Sequence, residues 1–422
     1  MSKYAIVLLI CCFLAQIVSF RLFYSRLKNK LYRNMVIFLF VLFNIFWILT
    51  FYKLSEREPI SGYFLSLIAR PAISWQSVQL LVVLPLSIVI YLLYYVAVLA
   101  IKLISKGKKS TKASNSLQGT EDRAPDAPPQ VERRDFLKKA GAIGLGGILA
   151  FSTYAVIRQS ISPSVRRLNL KIPNLPRELH GFTIAHLTDL HLGLWASQHE
   201  LDLALVEAAK VKPDLVIFTG DMVDRDPQVA GLYHGPVERR LSAVPYGVYT
   251  VLGNHDHFNN PDKIEEILNT SGMKVLREER VNIGNLPLSL TGLDDQSAYG
   301  RTFRRKQAGM EARTNILDFS EIKGPSLREG DFKILLNHRP EGFKQAMEEG
   351  YGLYLVGHTH GGQYAIPGFS QANLATLIYE YTSGLYEDFG GFLNVSSGLA
   401  SVGIPFRFGP WPEFSLITLE RA

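Results

Sequence analysis

Cysteine is nearly absent from this chain: its 422 residues contain two, Cys11 and Cys12, adjacent within an apolar run. No disulfide can brace the remainder, and no thiolate is at hand there for a metal. Acids are also in short supply, with 38 Asp and Glu against 45 Lys and Arg, a net charge of +7. A basic excess suits nucleic acid, a membrane surface or a membrane topology, and its placement decides among them. Four stretches lack charge altogether, residues 4–20, 35–52, 78–101 and 140–157. About 20 mostly apolar residues cross a hydrocarbon core as a helix, so each stretch is expected to span a membrane. With no charge inside them to mark an ion path, they read as an anchor rather than a transporter.

The basic residues fall where a multi-pass topology needs them. Arg21, Arg26, Lys28, Lys30 and Arg33 separate the first two stretches without an acid, residues 53–77 are nearly balanced, and residues 102–139 hold ten Lys or Arg. Positive loops stay cytoplasmic. The chain beyond residue 160 is therefore expected on the extracytoplasmic side of a cell membrane, and no nucleic acid partner is expected. Residues 106–132 have no aromatic residue and few apolar ones, the composition of a disordered linker. They lead into "RRDFLKKAG", residues 133–141. This could be a plain basic flank to the span behind it. Arg133, Arg134, Phe136, Leu137 and Lys138 also fit a twin-arginine export signal, which makes a twin-arginine translocase a partner during export. The expected organisation is a transmembrane region over 1–105, a linker over 106–132, the signal and fourth span over 133–160, and a separate domain over 165–422.

In that domain, short apolar runs ending in polar residues alternate with helical spacing. "GFTIAHLTDLH" is followed by "SQHELDLALVEAAKVKPD", which Pro213 closes; "LVIFTGDMVD" and "GVYTVLGNHD" precede "NPDKIEEILNTSG", which Gly272 stops; "FKILLNHRP" and "GLYLVGHTH" come later. The alternation predicts an α/β domain with parallel pairing. "LSLTGLDD", "FGGFLNVSSG" and "EFSLITLERA" read as a second, more antiparallel set. The expected fold is a two-sheet β-sandwich flanked by helices, behind an all-α transmembrane region.

Five runs end in ligand-type residues: Asp189 and His191; Asp221; Asn254, His255 and Asp256; His338; His358 and His360. Residues i and i+2 of an extended segment face the same way, so each close pair can meet a shared ion or straddle two. A single histidine at a strand end is usually a hydrogen-bonded structural residue. Five such clusters are not explained that way, because α/β sheets gather ligands at the carboxyl ends of their strands. Gly220, Gly253 and Gly357 give the backbone room to turn there. Carboxylate, amide and imidazole donors suit Mn, Zn or Fe.

"DLH" 189–191, "GDMVD" 220–224, "GNHD" 253–256, "NH" 337–338 and "GHTH" 357–360 stand in the order of the calcineurin-like metallophosphoesterase motifs, and the chain resembles that superfamily over about residues 165–422. The resemblance implies two divalent ions, with Asp189, His191, Asp221 and His360 on the first and Asp221, Asn254, His338 and His358 on the second. It implies hydrolysis of a phosphomonoester, phosphodiester or pyrophosphate by a hydroxide held between ions about 3.5–4 Å apart. His255 would be a general acid, or a hydrogen-bond donor to phosphate, with Asp256 orienting its ring. Asp224 would stand behind the ligands or be a solvated turn residue. His257 reads as an exposed loop residue, and His180, His186, His199 and His234 as structural or surface residues. The basic run Arg301, Arg304, Arg305 and Lys306 is a solvated loop, or a lid or membrane contact beside a lipid-linked substrate. The rivals are a phosphatase or nucleotidase with a soluble substrate, and a non-catalytic membrane-bound module that binds metal or phosphate.

Overall fold

The computed structural model describes residues 162–422 except 194, 225, 296–316, 367–368 and 404–406, together with Tyr154 and scattered residues between 30 and 48. The predicted spans at 4–20 and 78–101, two thirds of that at 35–52, all of that at 140–157 but Tyr154, the linker, the export signal and the basic run at 301–306 lie outside the described residues. Among the described residues no helix is long and apolar enough to cross a membrane. Those described between 30 and 48 are helical, and Ile37, Phe38, Val41, Ile45 and Ile48 are exposed while Asn44 is buried.

In chain order the strands are β1 (Ser164–Ile172), β2 (Thr183–Leu187), β3 (Leu215–Thr219), β4 (Val248–Val251), β5 (Lys274–Val275), β6 (Glu279–Asn282), β7 (Leu288–Gly292), β8 (Phe332–Leu336), β9 (Leu353–Val356), β10 (Ala365–Ile366), β11 (Phe369–Asn373), β12 (Gly384–Asp388), β13 (Gly391–Val395) and β14 (Glu413–Arg421). They form two six-stranded sheets, β1-β14-β2-β3-β4-β5 and β12-β13-β9-β8-β7-β6, and a small β10-β11 ladder.

Both sheets are covered on both faces, which is why their strands read as continuous apolar runs rather than alternating ones. On β3, Leu215 and Ile217 point inward to a core shared with Ile184, Leu290, Ile334, Leu336 and Leu355. Val216 and Phe218 point the other way, to the helices α1 (Gln198–Lys210), α2 (Pro236–Leu241) and α3 (Pro261–Thr270), through Leu201, Ala204, Leu205, Val237, Ile264 and Leu268. The outer face of the second sheet is covered by α4 (Phe343–Glu348), where Phe343, Ala346 and Met347 meet Leu335, Tyr354 and Val395. The result is the predicted sandwich with helices outside it.

The helix ends follow their sequence signals. Ser197 caps α1, and the Glu200 carboxylate returns to accept from the Ser197 backbone N–H at 2.8 Å and hydroxyl at 2.6 Å. Pro261 opens α3 behind the Asn260 cap, and Gly272 follows its end at φ 87°.

Two expectations about the sheets are corrected. "EFSLITLERA" does not join the second set: β14 lies in the first sheet, parallel to β1 and antiparallel to β2. The second sheet is parallel through β13-β9-β8-β7, and only its edges β12 and β6 are antiparallel. His186 ties the two sheets together: its Nε2 lies 2.9 Å from the Thr219 hydroxyl, and its Nδ1 accepts from the Asn394 amide at 2.8 Å. Burial lowers its pKa to about 3, so it is a neutral structural residue as expected.

Candidate metal centre

The five motif-bearing runs do not belong to one sheet. β2, β3 and β4 come from the first and β8 and β9 from the second, and their carboxyl ends converge. The loops are joined by backbone and carboxylate bonds. The Asp189 N–H donates to Gly220 O at 3.1 Å and the His191 N–H to Asp221 O at 2.9 Å. The His358 N–H donates to Asp189 Oδ2 at 3.0 Å, and the His255 N–H to Asp221 Oδ1 at 2.8 Å. A side chain on Gly253 would collide with the Asp221 carboxylate, so glycine is required for the third and fourth strand ends to close.

Five of the predicted ligands adopt left-handed backbone: Asp189, His191, Asp221, His358 and His360 have φ between 47° and 69°. Each costs roughly 1–2 kcal/mol for a side chain with a Cβ. Strain concentrated on residues that share one cluster is characteristic of a functional site.

Three groups of side chains have ligand atoms within 4.8 Å of one another: Asp189 with His191 and His360, Asp221 with His338 and His358, and His191 with Asp224 and His255. Asp221 stands between the first two, its Oδ2 3.4 Å from His191 Nε2 and 3.2 Å from His338 Nε2. Nearly all of these groups are buried. The donor set fits cations for a specific reason. His338 Nδ1 lies 2.8 Å from Thr219 O, and His360 Nδ1 2.9 Å from Ala400 O. A carbonyl only accepts, so both Nδ1 atoms carry hydrogen. Each Nε2 then turns a lone pair toward a carboxylate, Asp221 Oδ2 at 3.2 Å and Asp189 Oδ1 at 3.4 Å. Two acceptors face each other comfortably only with a proton or a cation between them.

The proton affinities show the same need. Burial disfavours a charged His338, yet the Asp221 carboxylate outweighs it and lifts the pKa to about 10. Burial also opposes protonation of His191, which Asp221 and Asp189 overcome. Their neighbours go the other way. Burial and then His338 and Arg339 keep His358 neutral, and burial lowers His360 to about 3. Burial alone would raise Asp189 and Asp221, but the histidines hold both carboxyls well below their ordinary range. Each cluster thus sets a histidine of raised proton affinity beside one of lowered affinity, His191 beside His360 and His338 beside His358. Asn254 Oδ1 is buried with no hydrogen-bond partner, as an amide reserved for an ion would be.

His255 lies beside this centre, its ring edge-on to His191 with centroids 4.6 Å apart. The expected orienting role of Asp256 is corrected. His255 Nδ1 lies 2.7 Å from Asp224 Oδ1. Asp256 points into the protein and accepts the backbone N–H groups of Gly253 at 2.8 Å, Val223 at 3.0 Å and Met222 at 3.2 Å. The 3-10 turn Asp256–Phe258 causes this by sending adjacent side chains to different sides. Asp224 is buried rather than solvated.

His257 also departs from expectation. Its ring is buried, with Nε2 2.6 Å from Asp294 Oδ1, and Arg277 Nε donates to Asp294 Oδ2 at 2.8 Å. Burial works against the His257 charge, but Asp294 raises its pKa; burial likewise works against Asp294, but His257 lowers its pKa. The raised histidine stabilises the fold below its unfolded pKa of about 6.5 and loses that contribution as pH rises through the folded value. The depressed carboxyl stabilises above about 3.9 and loses it as pH falls. His257→Gln should therefore lower the urea midpoint most between about pH 4 and 6.5, with the gap to wild type narrowing at higher pH. A pH-independent gap would contradict the ion pair.

Three more residues join the centre without being singled out in the sequence. Arg339 Nη1 lies 2.7 Å from His358 Nε2, and its Nε donates to Asp295 at 2.9 Å. The Tyr379 hydroxyl is 2.8 Å from the same His358 nitrogen. Fully buried Arg407 donates to the carbonyls of Gly398 at 2.8 Å, His360 at 3.1 Å and Ser397, pinning the loop that holds Asp189 and His360. The local signals were slight: Arg339 follows His338 directly, and Tyr379 and Arg407 lie in aromatic-rich segments.

Residues 182–362 match the family described as calcineurin-like phosphoesterase. The chain is 27% identical to the uncharacterized metallophosphoesterase YkuE of Bacillus subtilis over 302 residues, covering 69% of this chain and 98% of that protein. It is 28% identical to the transmembrane protein with metallophosphoesterase domain of Danio rerio, covering 71% of this chain and 67% of that one. A dimetal phosphatase structure from Danio rerio superposes at 13% identity and a TM-score of 0.32, covering 54% of this chain and 89% of that one. Residues 182–362 thus form a calcineurin-like phosphoesterase domain, which supports a hydrolase acting on phosphoester bonds.

Proposed function

We propose that the chain is a membrane-anchored phosphoesterase, exported through a twin-arginine signal, whose domain acts outside the cytoplasmic membrane on a phosphate ester, including a lipid-linked or cell-envelope one. The observation that carries the reading is the pair of histidine–carboxylate clusters sharing Asp221. Asp189, His191, Asp221 and His360 would hold one divalent ion, and Asp221, Asn254, His338 and His358 the other, with Mn, Zn and Fe all suited to the donors. Such a pair, when bound, lowers the pKa of water and takes up charge on phosphoryl oxygens. The chain's own residues do the rest. The backbone of five strand ends fixes the donors before substrate arrives, and Asp224 holds the His255 ring at the edge of the centre to hand a proton to the leaving oxygen. Anchoring is supported by the four uncharged apolar stretches, by the outward apolar side chains between 37 and 48, and by a relative named as a transmembrane protein.

Two experiments test this reading. His255→Ala should lower kcat by about 10²-fold on a diester with an alkoxide leaving group, and far less on bis(p-nitrophenyl) phosphate, whose leaving group needs no proton. Equal losses on both would assign His255 to phosphate binding instead. Replacing Arg133 and Arg134 by Lys should leave the domain inside the cell, protected from protease added to spheroplasts; unchanged digestion would remove the export signal from the account.

A further inference from the structure

Three exposed apolar side chains neighbour residues of the metal centre. Leu377 ends the 3-10 turn Leu374–Leu377 and Ile378 follows it; at 82% and 79% exposure they are the most exposed large apolar side chains among the described residues. The next residue, Tyr379, turns back to place its hydroxyl 2.8 Å from His358 Nε2. On the loop after β4, Phe258 is 51% exposed, and its ring centroid lies 4.4 Å from that of His255. Single exposed apolar residues are ordinary. Here two adjacent aliphatic side chains stand immediately before a residue that touches one cluster, and a phenyl ring packs on the histidine beside the other. A Leu and an Ile left in water forgo the burial that their apolar surface favours.

The chain itself indicates what covers them. Only residues 158–163 separate the apolar stretch 140–157 from Ser164 at the start of β1. Six residues reach about 20 Å at most when extended. If that stretch is in a bilayer, the domain works next to the membrane surface. Between Asn373 and Ser383 there is no Lys or Arg, and Glu380 is present, so attraction to anionic headgroups is not what this turn offers. Its aliphatic pair, with Tyr379 and Tyr381 behind, has the composition of a segment that enters the headgroup boundary.

We propose that Leu377 and Ile378 insert into the bilayer surface beside the metal centre, and that the substrate is an amphipath, a phosphate ester whose apolar part stays in the membrane. This rests on the reading of the chain as a membrane-anchored phosphoesterase. The apolar turn would set both the height of the centre above the lipid and the path of the headgroup into it.

The test uses the full chain with Mn, reconstituted in phosphatidylcholine vesicles. Two substrates are compared: soluble bis(p-nitrophenyl) phosphate and a diacylglycerol p-nitrophenyl phosphodiester carried in the vesicles. The double variant L377D/I378D should lose about 10-fold or more on the embedded ester while its rate on the soluble ester stays within about twofold of wild type. The wild-type rate on the embedded ester should be insensitive to salt, because insertion is apolar. Equal rates of variant and wild type on the embedded ester would overturn the proposal. So would parallel losses on both substrates, which would place the turn in service of the centre itself. A wild type inactive on both esters would sink the phosphoesterase reading and the proposal together, and the soluble substrate tells that failure from the others.

Discussion

Asp221→Asn is expected to lower kcat/KM for a phosphodiester by roughly 10³-fold or more, about 4 kcal/mol of transition-state stabilisation. The residue stands between two histidines of different clusters, at 3.4 and 3.2 Å. An amide of the same shape offers one oxygen and no charge, so neither cluster keeps its affinity for a cation and the two lose their common member. The substitution leaves the backbone intact for a stated reason. Asp221 sits at φ 51°, a region Asn tolerates well, and the amide oxygen can still accept the His255 N–H now held by Oδ1 at 2.8 Å. The variant should therefore unfold cooperatively while binding less metal. Wild-type activity in Asp221→Asn would rule out a shared bridging carboxylate.

Asp256→Ala is expected to act on stability, with a net cost of about 3 kcal/mol. Its carboxylate satisfies three buried N–H groups, those of Gly253, Val223 and Met222. Each donor left unpaired costs about 1–3 kcal/mol, a gross loss of about 3–9 kcal/mol. Part of this is returned. Burial first, and then repulsion from Asp221, lift the Asp256 pKa from 3.8 to about 6 despite those bonds, a penalty of about 3 kcal/mol at neutral pH that alanine removes. The sign for pH follows: a carboxyl raised on folding stabilises below its unfolded pKa, and that contribution is lost as pH rises from about 4 through 6. The variant should show a lower urea midpoint at pH 7, while kcat per folded molecule falls much less than in His255→Ala. A stable Asp256→Ala with a large kcat defect would restore Asp256 to the orienting role that Asp224 occupies here.

That exchange of roles illustrates what a sequence discloses and what it withholds. The clustered Asp, Asn and His residues were legible because each sits at the end of an apolar run and three follow a glycine, both local features. The helices α1 and α3 were legible through Ser197, Pro261 and Gly272. Which carboxylate faces His255 was not, because the direction of Asp256 is set by a single 3-10 turn and by three donors, two of which come from the loop after β3. The place of β14 was hidden because its apolar run fits either sheet, and pairing with β1 and β2 is decided by contacts more than 200 residues away in sequence. Arg339, Tyr379 and Arg407 lacked a signal of their own, since an arginine beside a histidine or a tyrosine among aromatics fits a core or a surface equally well. His257 departs from its reading because its partner Asp294 comes from the end of β7 and Arg277 from the end of β5, both far from the loop after β4 in sequence.

Asp221 would join two cation sites where the two sheets meet. Metal content measured on the purified, chelator-stripped full chain after titration with Mn tests it most directly. Saturation is expected at two ions per chain, with phosphodiester hydrolysis that appears with them and vanishes on chelation, and with a loss of bound metal in Asp221→Asn. Saturation at one ion or none, or hydrolysis that survives complete chelation, would contradict it.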